Sequence, residues 1–377
     1  MNEHDIRFMQ RALELGRKGV GLASPNPAVG CVIVRDGQIV GEGFHQYEWR
    51  DHAEIVALKS AAERTKGATL YVNLEPCNHA GRTGPCTEAI ISAGVQRVVA
   101  AMEDPNPTNS SRGFGRLREA DVEVTSGVCE EEACRLNEPF ARWIRTKKPF
   151  VTLKSALTLD GQLALPQSRN KSAKSLARRE RSEWITSEES RAEVHRMRHA
   201  SDALLTGIGT ILVDDPLLTD RSGLPRRRRL LRVILDSKLR LRPKSRIVAT
   251  ADDDLLVFTA MPLKSAAARK LQNAGVDLFR TKTKNSRIDL HAVLAELGRR
   301  EVLSVLLEAG PTLNGAVLQS GIVDKLFLFY APKIAGRAIA PFAAAPNLEL
   351  PAIQNLRAFQ FGPDFAIEGY LRGVYKK

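Results

Sequence analysis

The feature that most constrains this chain is a set of three metal-ligating side chains spread along its first quarter: His52, Cys77 and Cys86. His52-Ala53-Glu54 opens a stretch patterned as a helix from about His52 to Arg64. Cys77, within Glu75-Pro76-Cys77, follows an apolar run at Thr69–Leu74 that reads as a strand. Cys86 lies at the start of a helical stretch from Pro85 to Ala93. To act together, these residues need a fold that carries two helix starts to the end of a strand. One imidazole and two thiolates form a three-ligand zinc set with the fourth position open, the mark of a catalytic site. A closed structural knuckle would need a fourth ligand from His79, Cys31 or His45.

Zinc lowers the pKa of a bound water to roughly 7, which makes hydroxide at neutral pH. Glu54, two residues after His52, is placed to take that water's proton and pass it to a ring nitrogen and then to a leaving amine. The chemistry so described is hydrolytic loss of ammonia from an aminopyrimidine or related ring. His-x-Glu with Pro-Cys is the zinc-deaminase arrangement. The commonest signature continues Pro-Cys-x-x-Cys, whereas here eight residues separate the cysteines.

The five cysteines are too few for a disulfide framework in 377 residues, and Cys129 and Cys134 read as packing thiols. With 43% hydrophobic and 26% charged residues the chain is of ordinary globular composition. Its length suits two domains. No run reaches the 18 or so apolar residues of a membrane span. The polar start, with Glu3 and Asp5, lacks the pattern of a signal peptide, so the cytosol is the expected location. The net charge of +13 is stepped. Residues 1–148 hold 19 basic against 20 acidic side chains, and the rest hold 37 against 23. This places a domain boundary near Lys147–Pro149, giving domains 1–147 and 148–377, and suggests anionic ligands for the second.

Both halves alternate strand and helix signals, so the fold class is α/β. In the first half these are a helix at Asp5–Leu15, a hairpin of Val29–Val34 with Ile39–Gly43, and strands at Thr69–Leu74, Val95–Ala101 and Val122–Thr125. Helices are expected at residues 114–120 and, as one element, from about Glu130 to Arg145. The second half has strands at Phe150–Ala156, Ala203–Thr206, Leu231–Leu235, Leu255–Phe258, Val302–Leu307 and Lys325–Tyr330. Its helices are near Glu188–His199, Leu290–Leu297 and Thr312–Gln319. Residues 166–181 are polar and basic and read as an exposed loop or short surface helix. Leu205-Thr206-Gly207-Ile208-Gly209-Thr210 and Glu308-Ala309-Gly310-Pro311-Thr312 are strand-to-helix turns that could bind phosphate. Neither is GxGxxG, so a Rossmann reading is not supported.

The loop Cys77-Asn78-His79-Ala80-Gly81-Arg82-Thr83-Gly84-Pro85-Cys86 resembles that of the pyrimidine deaminase of riboflavin biosynthesis. Pro25-Asn26-Pro27-Ala28-Val29-Gly30-Cys31, Gly43-Phe44-His45 and Asp104-Pro105-Asn106-Pro107 agree with it. The second half looks like the reductase domain fused to that deaminase, through Leu153-Lys154-Ser155-Ala156 with Leu159-Asp160-Gly161, Trp184-Ile185-Thr186-Ser187, Asp214-Asp215-Pro216-Leu217-Leu218-Thr219, Leu235-Asp236-Ser237, Glu308-Ala309-Gly310-Pro311-Thr312 and Ala331-Pro332-Lys333. The resemblance runs from about residue 5 to residue 337. It implies a cytidine-deaminase-like three-layer α/β/α domain and a dihydrofolate-reductase-like α/β domain. It also implies zinc, NADPH, and a diaminopyrimidinone ribosylamino phosphate that is deaminated and then reduced from a ribosyl to a ribityl chain.

By the same resemblance Asn26, His45 and Arg82 help hold the substrate of the first step, with Arg82 on its phosphate. His79 reads as a solvated loop residue. Ala156, Trp184, Thr210, Asp214, Ser237 and the run Gly310, Pro311, Thr312, Leu313, Asn314, Gly315 and Ala316 face the cofactor. Ser182, Arg198, Leu218, Arg221 and Glu308 face the second substrate, with Arg198 and Arg221 clamping its phosphate. Asp214 is the expected proton-relay or orienting residue, against an Asp-Asp-Pro turn as the plain alternative. Thr158 departs from the family's serine, and 166–181 has the character of an insertion beside Ser182. Assembly as a homo-oligomer through the second half is expected by analogy.

Two other readings stay open. The Arg226–Arg229 run, Lys238–Arg246 and residues 166–181 could meet RNA, as in tRNA deaminases, although no aromatics interleave them for base stacking. Alternatively, the second half is only structural. His195 and His199 lie four apart on a helix, but Arg196 and Arg198 beside them oppose metal binding, so both read as surface residues.

Overall fold

The structure is a computed structural model that describes residues 2–79, 84–163, 184–284, 287–336, 340–345 and 352–375. Two compact units form: Met1–Lys147 with Pro225–Arg228 and Val374–Lys377, and Lys148–Leu224 with Arg229–Gly373.

The first unit is built on a five-stranded sheet in the order β2-β1-β3-β4-β5. Its strands are β1 (Gly30–Arg35), β2 (Gln38–Phe44), β3 (Thr69–Val72), β4 (Arg97–Ala100) and β5 (Glu123–Ser126). β1 runs antiparallel to β2 and β3, and β3, β4 and β5 are parallel. The first helix, α1 (Glu3–Lys18), is capped by Asn2, with Glu3 and Asp5 in its first turn and Arg17 and Lys18 in its last. That polarity complements the helix dipole. The second helix, α2 (Ala53–Ala61), is followed by α3 (Cys86–Ser92) and α4 (Arg112–Glu119).

Two glycine contacts show how the layers close. A Cβ on Gly30 would fall 2.1 Å from the Ala12 carbonyl oxygen of α1, and one on Gly43 would fall 2.5 Å from that of Ala53 in α2. Gly30 pairs with Phe44 and Cys31 with Gly43, so Gly30 and Gly43 lie on opposite faces of the sheet. The two helices therefore cover opposite faces, and the sheet is the middle of three layers. Its core runs from Phe8, Met9 and Leu13 through Val32, Ile33, Leu70, Val98 and Val99 to Ile90 and Leu117.

The helix expected from Glu130 to Arg145 is two, α5 (Glu130–Leu136) and α6 (Glu138–Thr146). Asn137 breaks it: its side chain accepts from the Ala28 N–H at 2.9 Å and donates to the Ala28 carbonyl at 3.2 Å, and Pro139 follows at once. Asn137 leaves helical geometry at φ −111°, ψ 15°, and Pro139 has no N–H to carry the ladder of α5 onward. Arg227, from the basic run, is structural: its guanidinium bonds Glu48 at 2.6 Å and the Ser24 carbonyl at 2.9 Å, and lies over the Tyr47 ring.

The second unit holds a nine-stranded sheet in the order β10-β9-β8-β7-β13-β6-β14-β16-β15. Seven strands are parallel: β6 (Phe150–Thr158), β7 (Ala203–Gly207), β8 (Leu231–Leu235), β9 (Leu255–Thr259), β10 (Asp277–Arg280), β13 (Ser304–Glu308) and β14 (Lys325–Ala331). A closing hairpin, β15 (Gln354–Phe361) with β16 (Asp364–Tyr370), is antiparallel. A small pair, β11 (Thr283–Lys284) with β12 (Arg287–Ile288), stands apart. The helices are α7 (Glu188–His199), α8 (Ile208–Asp214), α9 (Arg246–Ala249), α10 (Ala266–Gln272), α11 (Leu290–Arg299) and α12 (Pro311–Gln319).

The parallel strands read as continuous apolar runs because both faces are covered. Leu205 and Val233 join one cluster, while their neighbours Leu204 and Ile234 join another. The parallel arrangement gathers the carboxyl ends of β6, β7, β8 and β13 on one edge. Ligands bind at such an edge in open α/β sheets.

Candidate functional site

His52 is the residue that starts α2, Cys77 follows β3, and Cys86 is the first residue of α3. His52 Nδ1 lies 3.5 Å from Cys77 Sγ and 3.3 Å from Cys86 Sγ. The three ligand atoms lie within 4.8 Å of one another. Zinc bonded to sulfur at about 2.3 Å and nitrogen at about 2.0 Å with tetrahedral angles sets N and S about 3.5 Å apart. The spacing fits that ion. The Cys77 thiol is held down to about 4, first by the Cys86 thiol donating to it and then by His52, the direction a metal-binding thiolate needs. No fourth side chain joins the set among the described residues.

Glu54 lies in the first turn of α2 and is 4% exposed. Burial pushes its carboxyl above the usual range. Close by, His45 and His52 rings meet edge to face at 5.4 Å. His45 Nδ1 is 2.9 Å from the Asp51 carbonyl, which only accepts, so that nitrogen carries the proton. Its Nε2 then accepts from the Asn26 amide at 3.0 Å. Asn26 and His45 are thus brought together, next to the metal set. Arg82 lies outside the described residues.

Sequence reasoning missed the buried polar frame behind these groups. The Glu75 carboxylate accepts four backbone N–H groups, from Asp104, Ser111, Gly113 and Phe114, at 2.8–3.2 Å. Asp104 accepts from the Asn106 N–H and the Asn109 amide. Asn109 in turn accepts the Asn78 N–H, and Asn78 accepts the Thr87 hydroxyl. The loop between the two cysteines is therefore tied to the 104–114 segment. Burial pushes Asp104 up to about 6. The one sequence signal was Asp104-Pro105-Asn106-Pro107, a turn sequence with no apolar pattern to explain it.

In the second unit, register pairs Glu308 of β13 with Lys154 of β6. Lys154 Nζ is 3.6 Å from Glu308, and Arg198 of α7 grips the same carboxylate at 2.7 and 3.0 Å. Burial alone would raise Glu308, but Lys154 and Arg198 outweigh it and hold it at about 2. Burial pushes Lys154 below its ordinary value. Arg198 also donates to the Thr219 carbonyl at 3.0 Å. Its partners here are a carboxylate and a carbonyl, where a phosphate clamp was expected. Arg221 is exposed, with its Nε 3.2 Å from the Thr219 hydroxyl. Leu218 is buried in the apolar cluster with Leu204 and Ile234, so its side chain faces the core.

Asp160 ties its own motif to the segment that follows Ala331-Pro332-Lys333. It accepts the Thr158 hydroxyl and the N–H groups of Ala335 and Gly336, and is held at about 2 first by Thr158. Lys333 donates to the Trp184 carbonyl at 2.8 Å. Trp184 is 56% exposed with Arg191 over its ring at 5.2 Å, and is not a core residue. Ser182 and residues 166–181 lie outside the described residues.

The expected cofactor residues divide in two. Ala156, Ser237 and Thr210 lie at the carboxyl edge of β6, just past β8, and in α8 after β7; Asp214 is the exposed last residue of α8. Gly209 and Gly310 have no heavy atom within 4 Å of where a Cβ would sit, which leaves backbone open to an anion. Gly310 precedes α12, with Pro311 in its first position and Thr312 exposed. Asn314 and Gly315 are fully enclosed. The Asn314 amide donates to the Phe342 carbonyl, and a Cβ on Gly315 would fall 2.3 Å from the Ala344 carbonyl oxygen. Leu313 packs with the core, and Ala316 is half-buried. Packing, not ligand contact, explains the glycine at 315.

Of the two α7 histidines, His199 is not a surface residue: it is buried, 3.2 Å from Asp220, while His195 is partly exposed and its Nδ1 accepts the Arg221 N–H at 3.2 Å.

Residues 2–102 match the cytidine and deoxycytidylate deaminase zinc-binding region, and residues 149–367 match the RibD C-terminal domain. The riboflavin biosynthesis protein RibD of Aquifex aeolicus strain VF5 is 41% identical over 340 residues, covering 90% of each chain. That of Escherichia coli K12 is 39% identical over 378 residues, 96% of this chain and 98% of that one. Among solved structures, RibD of Acinetobacter baumannii superposes with a TM-score of 0.82 at 34% identity, covering 98% of this chain and 99% of that one. A Thermotoga maritima protein, described as a diaminohydroxyphosphoribosylaminopyrimidine deaminase and 5-amino-6-(5-phosphoribosylamino)uracil reductase, superposes with a TM-score of 0.81 at 36% identity over 97% and 98% of the two chains. With two family matches covering both units and relatives aligned over nearly its whole length, the chain belongs to the RibD family of riboflavin biosynthesis proteins.

Proposed function

We propose that the first unit deaminates 2,5-diamino-6-ribosylamino-4(3H)-pyrimidinone 5′-phosphate and that the second reduces the ribosyl group of the product to a ribityl chain. The protein is a bifunctional enzyme of riboflavin biosynthesis, a zinc-dependent deaminase joined to an NADPH-dependent reductase. The observation that carries the reading is the convergence of His52, Cys77 and Cys86 beside buried Glu54.

His52, Cys77 and Cys86 would hold the zinc, which supplies Lewis-acid activation of water when bound. Glu54 carries one proton of the attacking water to the ring nitrogen and then the second, from the hydroxyl so formed, to the departing amine. A C–O bond forms, the C–N bond breaks and ammonia leaves a carbonyl behind. Burial raises the Glu54 pKa above the ordinary carboxyl range, the direction that suits a group that must both accept and return a proton. Asn26 and His45, locked to each other, offer fixed polar atoms to the pyrimidine, and Arg82 to its phosphate.

In the second unit, NADPH supplies a hydride when bound. Ala156, Trp184, Thr210, Asp214, Ser237 and Gly310, Pro311 and Thr312 line its side of the edge; Leu313, Asn314, Gly315 and Ala316 support that helix start from below. Lys154, buried beside Glu308, is the proton source for the sugar oxygen. Glu308 and Arg198 orient it, Ser182 and the Leu218 backbone border the substrate, and Arg221 meets the phosphate.

No helix among the described residues is long and apolar enough to cross a membrane. We place the enzyme in the cytosol, acting on a small molecule, with self-assembly through the second unit. One assay tests the function: purified zinc-loaded protein, the diaminopyrimidinone ribosylamino phosphate and NADPH, with ammonia and NADPH absorbance followed together. Ammonia release followed by NADPH loss is expected. Ammonia without NADPH loss would remove the second activity, and no ammonia would remove the first.

A further inference from the structure

Three side chains of one helix face hold three consecutive residues of one turn. His195, Arg198 and His199 stand at i, i+3 and i+4 on α7. Arg198 donates to the Thr219 carbonyl at 3.0 Å. His199 Nδ1 meets Asp220 at 3.2 Å, and the other Asp220 oxygen accepts the Ser222 N–H. His195 Nδ1 accepts the Arg221 N–H at 3.2 Å. Only the last of these contacts pins the backbone of Arg221 itself.

We infer that His195 is a positioning residue of the reductase: by accepting the Arg221 backbone N–H it sets where the Arg221 guanidinium meets the substrate phosphate. The inference rests on the proposed role of Arg221. The contact needs a lone pair on Nδ1, so the ring must be neutral with its proton on Nε2. An imidazolium would turn N–H against N–H. The charged groups that face His195 are Arg198 of its own helix, Asp220 and Arg221 of the turn, and Glu308 of β13. Burial, then the two arginines, lower its pKa against the opposing pull of the two carboxylates, so the ring is neutral at physiological pH. The contact breaks as the pH falls below the ordinary histidine range, around 6.5.

The test measures reductase KM and kcat, with NADPH saturating, on the deaminated substrate with and without its phosphate. The proteins are the wild-type chain, R221A, H195A and H195N. Asparagine places a non-titrating oxygen near the position of Nδ1. R221A is expected to raise KM for the phosphorylated substrate and to leave that of the dephosphorylated one unchanged; absence of that difference removes the Arg221 reading itself. H195A should raise the same KM by roughly tenfold, the worth of one hydrogen bond, with kcat and the KM for NADPH little changed. H195N should restore it. Below about pH 6 the wild-type KM should climb more steeply than that of H195N, in which only the phosphate's own protonation remains. If R221A shows its effect while H195N behaves like H195A, or the two pH profiles run parallel, the histidine does not position Arg221. Should H195A fold poorly, the comparison of wild type with H195N decides alone.

Discussion

Lys154 and Glu308 sit side by side at matched register on neighbouring parallel strands, 3.6 Å apart, and Arg198 closes on the same carboxylate from a helix. One anion balances two cations in a mostly buried place. Removing it strands both. E308A should therefore destabilise the second unit by about 3–5 kcal/mol and abolish NADPH oxidation, while ammonia release persists. K154M keeps the bulk and loses the proton. It should fold, bind NADPH and oxidise it at least 100-fold more slowly, in line with the general worth of acid–base catalysis. Calorimetry for the first variant and single-turnover absorbance for the second are the checks.

Glu54→Gln preserves shape and removes the proton carrier. The variant should keep one zinc per chain by metal analysis and lose ammonia release by at least 100-fold. Reduction of pre-deaminated substrate should continue at the normal rate. Residual ammonia release near wild type would exclude Glu54 as the shuttle. A chelator should reproduce the same split between the two activities in the unmodified enzyme.

Gly43 lets α2 lie directly on β2, and α2 begins at the proposed metal ligand His52. Gly43→Ala brings a methyl within 2.5 Å of the Ala53 carbonyl oxygen, so the helix start must move. Overpacking of this kind costs about 1–3 kcal/mol. Zinc affinity, measured by competition with a chromophoric chelator, should fall while reductase activity stays constant. Unchanged zinc affinity would mean that the helix can shift without disturbing its ligand.

Asp104 is pushed up to about 6 by burial, above its ordinary 3.8. In the folded chain it holds its proton at a pH where the unfolded chain has released it. Stability from this group is therefore full below about pH 4 and is lost as the pH rises through 6. The shift corresponds to on the order of 3 kcal/mol. The stability of wild type minus that of D104N, from denaturant curves at pH 4 and pH 7, should fall by that order. A pH-independent difference would show that Asp104 is ionised throughout.

Most of the parallel strands were legible because doubly covered strands are nearly continuous apolar runs, as at Leu255–Phe258; β10 (Asp277–Arg280), with two apolar residues between charged ends, was not. The convergence of His52, Cys77 and Cys86 was legible because zinc chemistry restricts the residue types. What escaped was polar and buried. Asn137 looks like a tolerable helix residue until its partner Ala28 is known. Glu75 reads as part of a metal motif, yet its carboxylate organises a segment that starts 29 residues away and ends 39 away. His199 of α7 read as solvent-facing because a helix pattern does not reveal which turn will fold over it. The hairpin β15–β16 escaped for another reason: every residue from Gln354 to Ala358 is exposed, so the apolar alternation that announces a strand is missing.

The first unit is not finished by its first 147 residues. Arg227 anchors on Glu48 and Ser24, the Arg145 guanidinium donates to the Val374 carbonyl, and the Tyr375 hydroxyl to that of Cys134. On a ribosome adding about 5–20 residues per second, those last contacts arrive on the order of 10–45 s after Lys147 has been made. The zinc-binding half thus begins to fold first and is completed last, after the strands of the other sheet have been synthesised. A gene cut at codon 147 would encode the proposed metal ligands and leave the surfaces that receive these late segments bare.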